Sequence, residues 1–303
     1  MIYDVIILGA GPAGLTAAVY ARRANKTALV IEKGAFGGQI TFSPKVENIP
    51  GFTEISGNEF AERLVDQAIA QGAEFESCTV TAIRDGRIKT VVTDEGDFEG
   101  KTVIVATGAR HRTLGLPGEE AFIGNGISFC AVCDGAFYKD QTVGVVGGGN
   151  SALQEALLLS ELAAKVYVIQ NLDYLTGEEK LCEQLRARAN VTVLTGTVVE
   201  SLLGSDAFAG VRLHRESDGQ SSELPLDGLF VAIGLIPQNE PFRDLLPLDR
   251  AGYIVAGESG ETGVPGLFAA GDCRTKTVRQ LATAAADGAV CAVAACRYID
   301  AQE

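Results

Sequence analysis

One device is written twice in this chain, and it limits the fold more than any other feature. Asp4-Val5-Ile6-Ile7-Leu8 is a short apolar run of the kind that forms a buried parallel strand, and it leads into Gly9-Ala10-Gly11-Pro12-Ala13-Gly14. A helical pattern follows from Leu15 to about Ala24, and a second strand, Thr27 to Ile31, ends at Glu32, with Lys33 next to it a further candidate for nucleotide binding. Far downstream, Thr142-Val143-Gly144-Val145-Val146 leads into Gly147-Gly148-Gly149-Asn150-Ser151-Ala152. Here a helix is expected over roughly Ala152 to Leu162, and the strand Lys165 to Ile169 ends at Gln170. In both copies 18 residues lead from the last motif residue to the residue after the second strand, Gly14 to Glu32 and Ala152 to Gln170. A strand, a glycine turn and a helix repeated at one spacing predict two nucleotide-binding βαβ units. Val103-Ile104-Val105-Ala106-Thr107-Gly108 and Leu229-Phe230-Val231-Ala232-Ile233-Gly234 echo each other too, each closing its own unit.

The expected fold class is therefore α/β, with two Rossmann-like nucleotide-binding domains, the second inserted in the first. Proline and glycine cluster at 114–118 and 236–241 and mark the linkers. They divide the chain into a first domain, 1–112 with 241–303, and an inserted domain, 113–240. A length of 303 residues suits two domains. A net charge of -14 argues against nucleic acid, whose phosphates need a basic face. No apolar run reads as a membrane span, and Met1-Ile2-Tyr3-Asp4 enters a strand pattern with no leader. Of 7 cysteines, Cys78, Cys182, Cys273, Cys291 and Cys296 lie in apolar segments and read as small buried hydrophobes, which suits a reducing cytoplasm.

In the first motif Gly9 serves the tight turn, Gly11 lets backbone approach a pyrophosphate, and Gly14 lets helix pack on strand. The helix N-terminus offers unpaired N–H groups to phosphate, and Glu32 is placed for a ribose hydroxyl pair. The C-terminal part points to FAD rather than NAD. Leu267-Phe268-Ala269-Ala270 delivers Gly271 and Asp272, the latter suited to a ribityl hydroxyl. Arg279 and Gln280 open a long Ala-rich helix ending near Ile299, and a helix N-terminus beside a flavin stabilises its reduced anion.

Cys130-Ala131-Val132-Cys133-Asp134 carries the chemistry. Two thiols this close can close a disulfide ring, or supply half of a zinc site. Zinc lacks its other ligands: there is no second pair of this spacing, and the only histidines are His111 and His214. No metal is expected.

Taken together, these motifs resemble the low-molecular-weight thioredoxin reductases over nearly the whole chain. The resemblance also rests on Gly37-Gly38-Gln39-Ile40, Val46-Glu47-Asn48-Ile49-Pro50-Gly51 and Ala106-Thr107-Gly108-Ala109. It implies bound FAD, a homodimer, a thioredoxin-like protein partner, and an inserted pyridine-nucleotide domain carrying the redox disulfide. Pro12, Ala13, Gly38, Gln39, Asn48, Thr107 and Gly108 fall with the flavin-binding positions. Gly147, Gly149, Asn150, Ser151 and Ala152 fall with the second nucleotide's. By the same resemblance Cys133 faces the flavin, Cys130 attacks the protein substrate, and Asp134 manages the protons. A pair facing the flavin cannot also face a protein, so the inserted domain is expected to swing about its two linkers.

One stretch departs from the pattern. NADPH-using members carry His-Arg-Arg and a further Arg after the second unit's second strand, to clamp the 2′-phosphate. Here the positions read Gln170-Asn171-Leu172-Asp173-Tyr174-Leu175-Thr176, and Gln154 stands where an acid is usual, though Glu155 matches. The donor stays open between NADPH, NADH, and a pyridine-nucleotide-independent route through ferredoxin or a second flavin. Two other classes compete with a disulfide reductase: a flavin oxidase, and a redox-sensing module without turnover.

Overall fold

Runs of Val, Ile and Leu without polar alternation build the centre of each half of the chain. Val5, Ile6, Ile7 and Leu8, and later Val143, Val145, Val166 and Val168, are almost wholly removed from solvent, as strands covered on both faces must be. The computed structural model describes residues 1–43 and 45–302; Glu303, counted in the expected first domain, lies outside the described residues.

Along the chain the elements are β1 (Ile2–Leu8), α1 (Pro12–Arg23), β2 (Ala28–Glu32), α2 (Gly57–Ala70), β3 (Glu74–Ser77), β4 (Val80–Arg84), β5 (Lys89–Thr93) and β6 (Asp97–Val105). After β7 (Ala109–His111) come α3 (Glu119–Phe122), β8 (Ile127–Ser128), α4 (Ala131–Asp134), β9 (Thr142–Val146), α5 (Asn150–Leu162), β10 (Lys165–Ile169) and α6 (Glu179–Arg186). Then follow β11 (Val191–Leu194), β12 (Thr197–Leu203), β13 (Gly210–Arg215), β14 (Ser221–Pro225) and β15 (Gly228–Val231). The chain closes with β16 (Leu235–Pro237), β17 (Leu267–Ala269) and α7 (Leu281–Asp300).

The chain divides into two compact units, Met1–Arg110 with Ile236–Glu303, and His111–Leu235. The proline and glycine clusters that the sequence marks as linkers are structured. Backbone N–H groups of Leu114 and Gly115 donate to the Glu119 carboxylate, each at 2.8 Å. Strand β16 takes up Ile236 and Pro237 and pairs with β7.

In the first unit β3, β2, β1, β6 and β17 are parallel, and β5 and β4 extend the sheet as an antiparallel meander. Helices α1 and α7 cover one face around Ile7, Val30 and Ile104. Gly288 makes that close packing possible, since a Cβ there would strike the carbonyl of Ala13. Helix α7 is long and apolar enough to cross a membrane by length and composition. Its Cys291, Ala292, Ala295 and Ile299 are instead part of this core. The second unit has a parallel sheet, β11-β10-β9-β15-β8, and an antiparallel one, β12-β13-β14. Cys78, Cys182, Cys273, Cys291 and Cys296 are all buried free thiols.

Both glycine-motif helices begin earlier than their apolar pattern indicates. Helix α1 starts at Pro12 rather than Leu15, and α5 at Asn150 rather than Ala152. Proline at the first helical position lacks an N–H that would go unused there, and its φ already suits the helix, so it begins the helix rather than preceding it.

Candidate functional site

In the first unit, backbone rather than side chains shapes the site. Gly9 has φ 110° and Gly38 φ 68°, both in the region that favours glycine. A Cβ on Gly14 would strike the Gly9 carbonyl, whereas one on Gly11 would meet nothing closer than the Gly38 Cα at 4.0 Å. Gly11 is the extended N-cap of α1 and supplies no side-chain cap. Bare N–H groups therefore open toward free space at a helix start, where the macrodipole favours an anion. Ala13 is buried beneath that turn. The Glu32 carboxylate accepts from the N–H of Ala10 and of Gly34, both at 2.9 Å, and so fixes the turn from the end of β2. Lys33 beside it is exposed.

Distant segments converge on the same face. Gln39 donates through Nε2 to the carbonyl of Ala109. Asn48 Nδ2 donates to Gln280 Oε1 at 3.1 Å, and Gln280 caps α7 in a reciprocal box with Thr283. Thr107 Oγ1 donates to Asn239 Oδ1 at 3.3 Å, and the buried Asn239 donates to the carbonyl of Cys273 at 2.7 Å. Thr107 and Gly108 are thereby tied to the Gly271-Asp272 turn. The Arg279 guanidinium lies 4.1 Å over the Tyr253 ring and donates to the main-chain carbonyls of Lys276 and Arg274 at 3.1 and 3.3 Å. It braces the loop that carries Asp272.

Asp272 is the chemically telling residue of this unit. Its Oδ1 is buried and has no hydrogen-bond partner among the described residues, and Lys276 Nζ stands 4.0 Å away. Burial raises its carboxyl above the ordinary value, although Lys276 and Arg279 pull the other way. A buried acceptor without a donor from the protein is open to one from a bound molecule or water. Asp287, which the sequence reading passed over, holds the turn: it accepts from Gly271 N–H at 3.0 Å, from Arg274 at 2.7 Å and from Lys276 at 3.0 Å.

The second glycine motif is built alike but is half covered by its own chain. Gly147 has φ 132°, and a Cβ there would strike the Ala232 carbonyl; Ala152 is fully buried. Gly149 is the uncapped N-cap of α5. Gln170, buried at the end of β10, lies against Gly148 and donates to the Tyr174 carbonyl at 3.2 Å. The N–H groups of Thr176 and Gly177 donate to the Gly148 carbonyl at 2.8 and 2.9 Å. Asn150 and Glu178 bond each other reciprocally, at 2.9 and 2.7 Å. Ser151 is exposed, as are Asn171, Leu172, Asp173 and Tyr174. The rim thus carries acid and no arginine.

In the same unit Cys130 and Cys133 form a disulfide with Cα atoms 5.3 Å apart. Cys130 is the N-cap of α4, and Cys133 N–H donates to its Sγ at 3.2 Å. A donor aimed at that sulfur favours its thiolate once the bond opens. Ser128, at the end of β8, accepts from Cys130 N–H at 3.1 Å and donates to Asp134 Oδ2 at 2.6 Å. Burial pushes the Asp134 carboxyl up, against the lowering effect of Ser128. Val132, between the cysteines, is 61% exposed, an apolar tip on the rim of the pair. Among the described residues no group of three or more His, Cys, Asp or Glu is placed to hold a metal.

The sequence pattern of the pyridine nucleotide-disulphide oxidoreductases matches residues 3–289. The chain belongs to this family. Thioredoxin reductase of Listeria monocytogenes is 41% identical to it over 301 residues, which cover 99% of this chain and 94% of that protein. Thioredoxin reductase of Treponema pallidum is 43% identical, covering 98% and 97%. The crystal structure of thioredoxin reductase from Streptococcus pyogenes superposes with a TM-score of 0.95 at 39% identity, over 99% of both chains. The fold is that of two Rossmann-like domains, and the chain is a FAD-dependent disulfide reductase of the pyridine nucleotide-disulphide oxidoreductase family.

The sequence motifs single out the two glycine turns and the cysteine pair, but not the residues that tie them down. Ser128, Asn239 and Asp287 carry no motif. Their one sequence signal is a polar residue set in an apolar stretch or beside a glycine turn, and that signal is common.

Proposed function

We propose that this chain reduces the disulfide of a thioredoxin-like protein through Cys130 and Cys133, in the cytoplasm, as a homodimer. The observation that carries the reading is the Cys130–Cys133 bond with a donor on Cys130 and an acid, Asp134, held against it by Ser128. In the first unit the bare start of α1 would take the FAD pyrophosphate, Glu32 a ribose, and the unpartnered Asp272 oxygen a ribityl hydroxyl, with Gln39, Asn48, Arg279 and Gln280 framing the ring system. The open space above Gly11 and the orphaned Asp272 oxygen fit that group. Once reduced by the donor, the bound flavin would supply the two electrons that open the disulfide.

Cys130 then attacks the partner's disulfide as thiolate, and Cys133 resolves the mixed disulfide by attacking Cys130. Asp134 takes the proton from the attacking thiol and returns it to the partner's leaving sulfur. Five further thiols kept free and buried suit a reducing compartment. The second glycine turn keeps the backbone shape for a pyrophosphate, but segment 170–176 carries no arginine or lysine for a 2′-phosphate, so NADPH is not the preferred donor. Anaerobic addition of NADPH, NADH or reduced ferredoxin to the flavin-loaded protein tests this by bleaching of the flavin band. Bleaching by NADH or ferredoxin with slow response to NADPH is expected; fast bleaching by NADPH alone overturns it.

A further inference from the structure

Thr283 and Asp287 stand one turn apart on the same face of α7, and the Lys276 ammonium is bonded to both. It donates to Thr283 Oγ1 at 3.2 Å and to Asp287 Oδ2 at 3.0 Å. The Lys276 side chain is only 7% exposed. Neither partner accounts for that placement. Thr283 is already engaged with Gln280 in capping α7. Asp287 is already matched in charge by Arg274, which donates from Nε at 2.9 Å and from Nη2 at 2.7 Å, and it accepts from Gly271 N–H as well. A cation at the first turn of a helix also lies at the wrong end of the macrodipole, and a buried ammonium gives up hydration. Once Asp287 and Arg274 are paired, the charge of Lys276 is left over. The other carboxylate beside it is Asp272, whose buried Oδ1 has no hydrogen-bond partner among the described residues and lies 4.0 Å from Lys276 Nζ.

We propose that Lys276 is a positioning residue for the cofactor: its ammonium, fixed by Thr283 and Asp287, is the counter-charge of the Asp272 carboxylate and keeps that group an acceptor for a ribityl hydroxyl of FAD. This rests on the reading of the first unit as the FAD cradle given above.

An ammonium 4.0 Å from a carboxylate attracts it several-fold more strongly at a protein surface than in bulk water, so a single lysine at this distance weighs on the charge state. A carboxylate accepts from a hydroxyl more strongly than a neutral acid does, and the neutral acid brings a proton of its own to the contact. The surroundings of Asp272 agree with the assignment. Burial pushes its carboxyl up, and Lys276 is the strongest of the groups that hold it down, ahead of Arg279 and Arg274; Asp287 works with burial. Arg279 approaches through the main chain, donating to the Asp272 carbonyl at 3.5 Å, while its guanidinium is stacked on Tyr253. Tyr253 and the Cys273 thiol complete the charged and titratable neighbours. Burial raises both, and the Asp272 charge adds to it, so neither titrates near neutral pH.

The test strips the full-length protein of flavin and measures FAD affinity, by quenching of flavin fluorescence, from about pH 6 to about pH 8. Wild type is expected to bind FAD with one affinity across this range, because Asp272 stays ionised. Lys276→Met is expected to bind about tenfold more weakly at the acid end and to recover toward the alkaline end, as Asp272 first holds a proton and then loses it. Lys276→Arg, which keeps the charge, is expected to keep the flat profile. Asp272→Asn is expected to weaken binding at every pH, and adding Lys276→Met to it brings no pH dependence back. A wild type whose affinity itself falls as the pH drops through this range overturns the inference with no variant needed. So does Lys276→Met with the wild-type affinity and profile, or with a loss equal at every pH, the mark of a lysine that serves Asp287 alone. A wild type that binds no FAD at any pH overturns the reading of the cradle, and this inference with it.

Discussion

Two side chains of the second unit titrate with opposite sign, and both effects come from burial. Glu155 is raised from 4.5 to about 7, so between those values the folded chain holds a proton that the unfolded chain has released. Its contribution to stability is full below 4.5 and is lost as pH rises toward 7. His111, stacked on Phe129 with ring centroids 4.8 Å apart, is lowered from 6.5 to about 4. There the unfolded chain takes the proton, so stability is full above 6.5 and is lost as pH falls toward 4. Urea unfolding across this range is expected to show stability rising more steeply with pH in Glu155→Gln than in wild type. It should rise less steeply in His111→Phe. Parallel curves for all three would show that neither group is desolvated as described. Only chemistry-bearing residues were legible at this scale. Cys130, Cys133 and Asp134 stand out in sequence because thiol pairs are rare. Asn239 and Asp287 do not, because a polar residue becomes a strut only when the fold brings 107, 239 and 273, or 271, 274 and 287, together.

At the scale of elements, the two strand–turn–helix units were readable because each step has its own chemical sign: an apolar run, glycines where a Cβ would collide, then a helix. Their starts were misplaced by two or three residues, since Pro12 and Asn150 look like turn residues and serve as first helical residues. The 170–178 segment shows the limit of motif reading. Its missing arginines are visible in the sequence, but its folding over Gly148, through Gln170, Thr176 and Gly177, is not. Because Asn171, Leu172 and Thr176 are exposed, they can be replaced without disturbing the core. The triple variant Asn171→Arg, Leu172→Arg, Thr176→Arg is expected to lower the KM for NADPH by roughly tenfold or more, about 1.4 kcal/mol, and to do so less as salt is raised. An unchanged KM would show that the rim does not set donor preference.

At the scale of the whole molecule, the length already suited two domains, and the duplicated device pointed to their kind. It could not say which surface a partner covers. On the first unit, Tyr20 of α1 with Val290 and Val293 of α7 line a shallow apolar depression, each at least 40% exposed. An apolar face on an otherwise acidic surface suits a second copy of the chain. Sedimentation is expected to show a dimer that Val293→Arg dissociates; a monomeric wild type would contradict this.

The central claim is that electrons leave through one disulfide, and its most direct test is a single turnover. Reduced protein is mixed anaerobically with an oxidised thioredoxin, and the thiols on each are counted. Wild type is expected to lose two thiols as thioredoxin gains two, Cys133→Ser to stop at a mixed disulfide through Cys130, and Cys130→Ser to form none. A variant lacking both cysteines that still reduces thioredoxin at the wild-type rate would contradict the account.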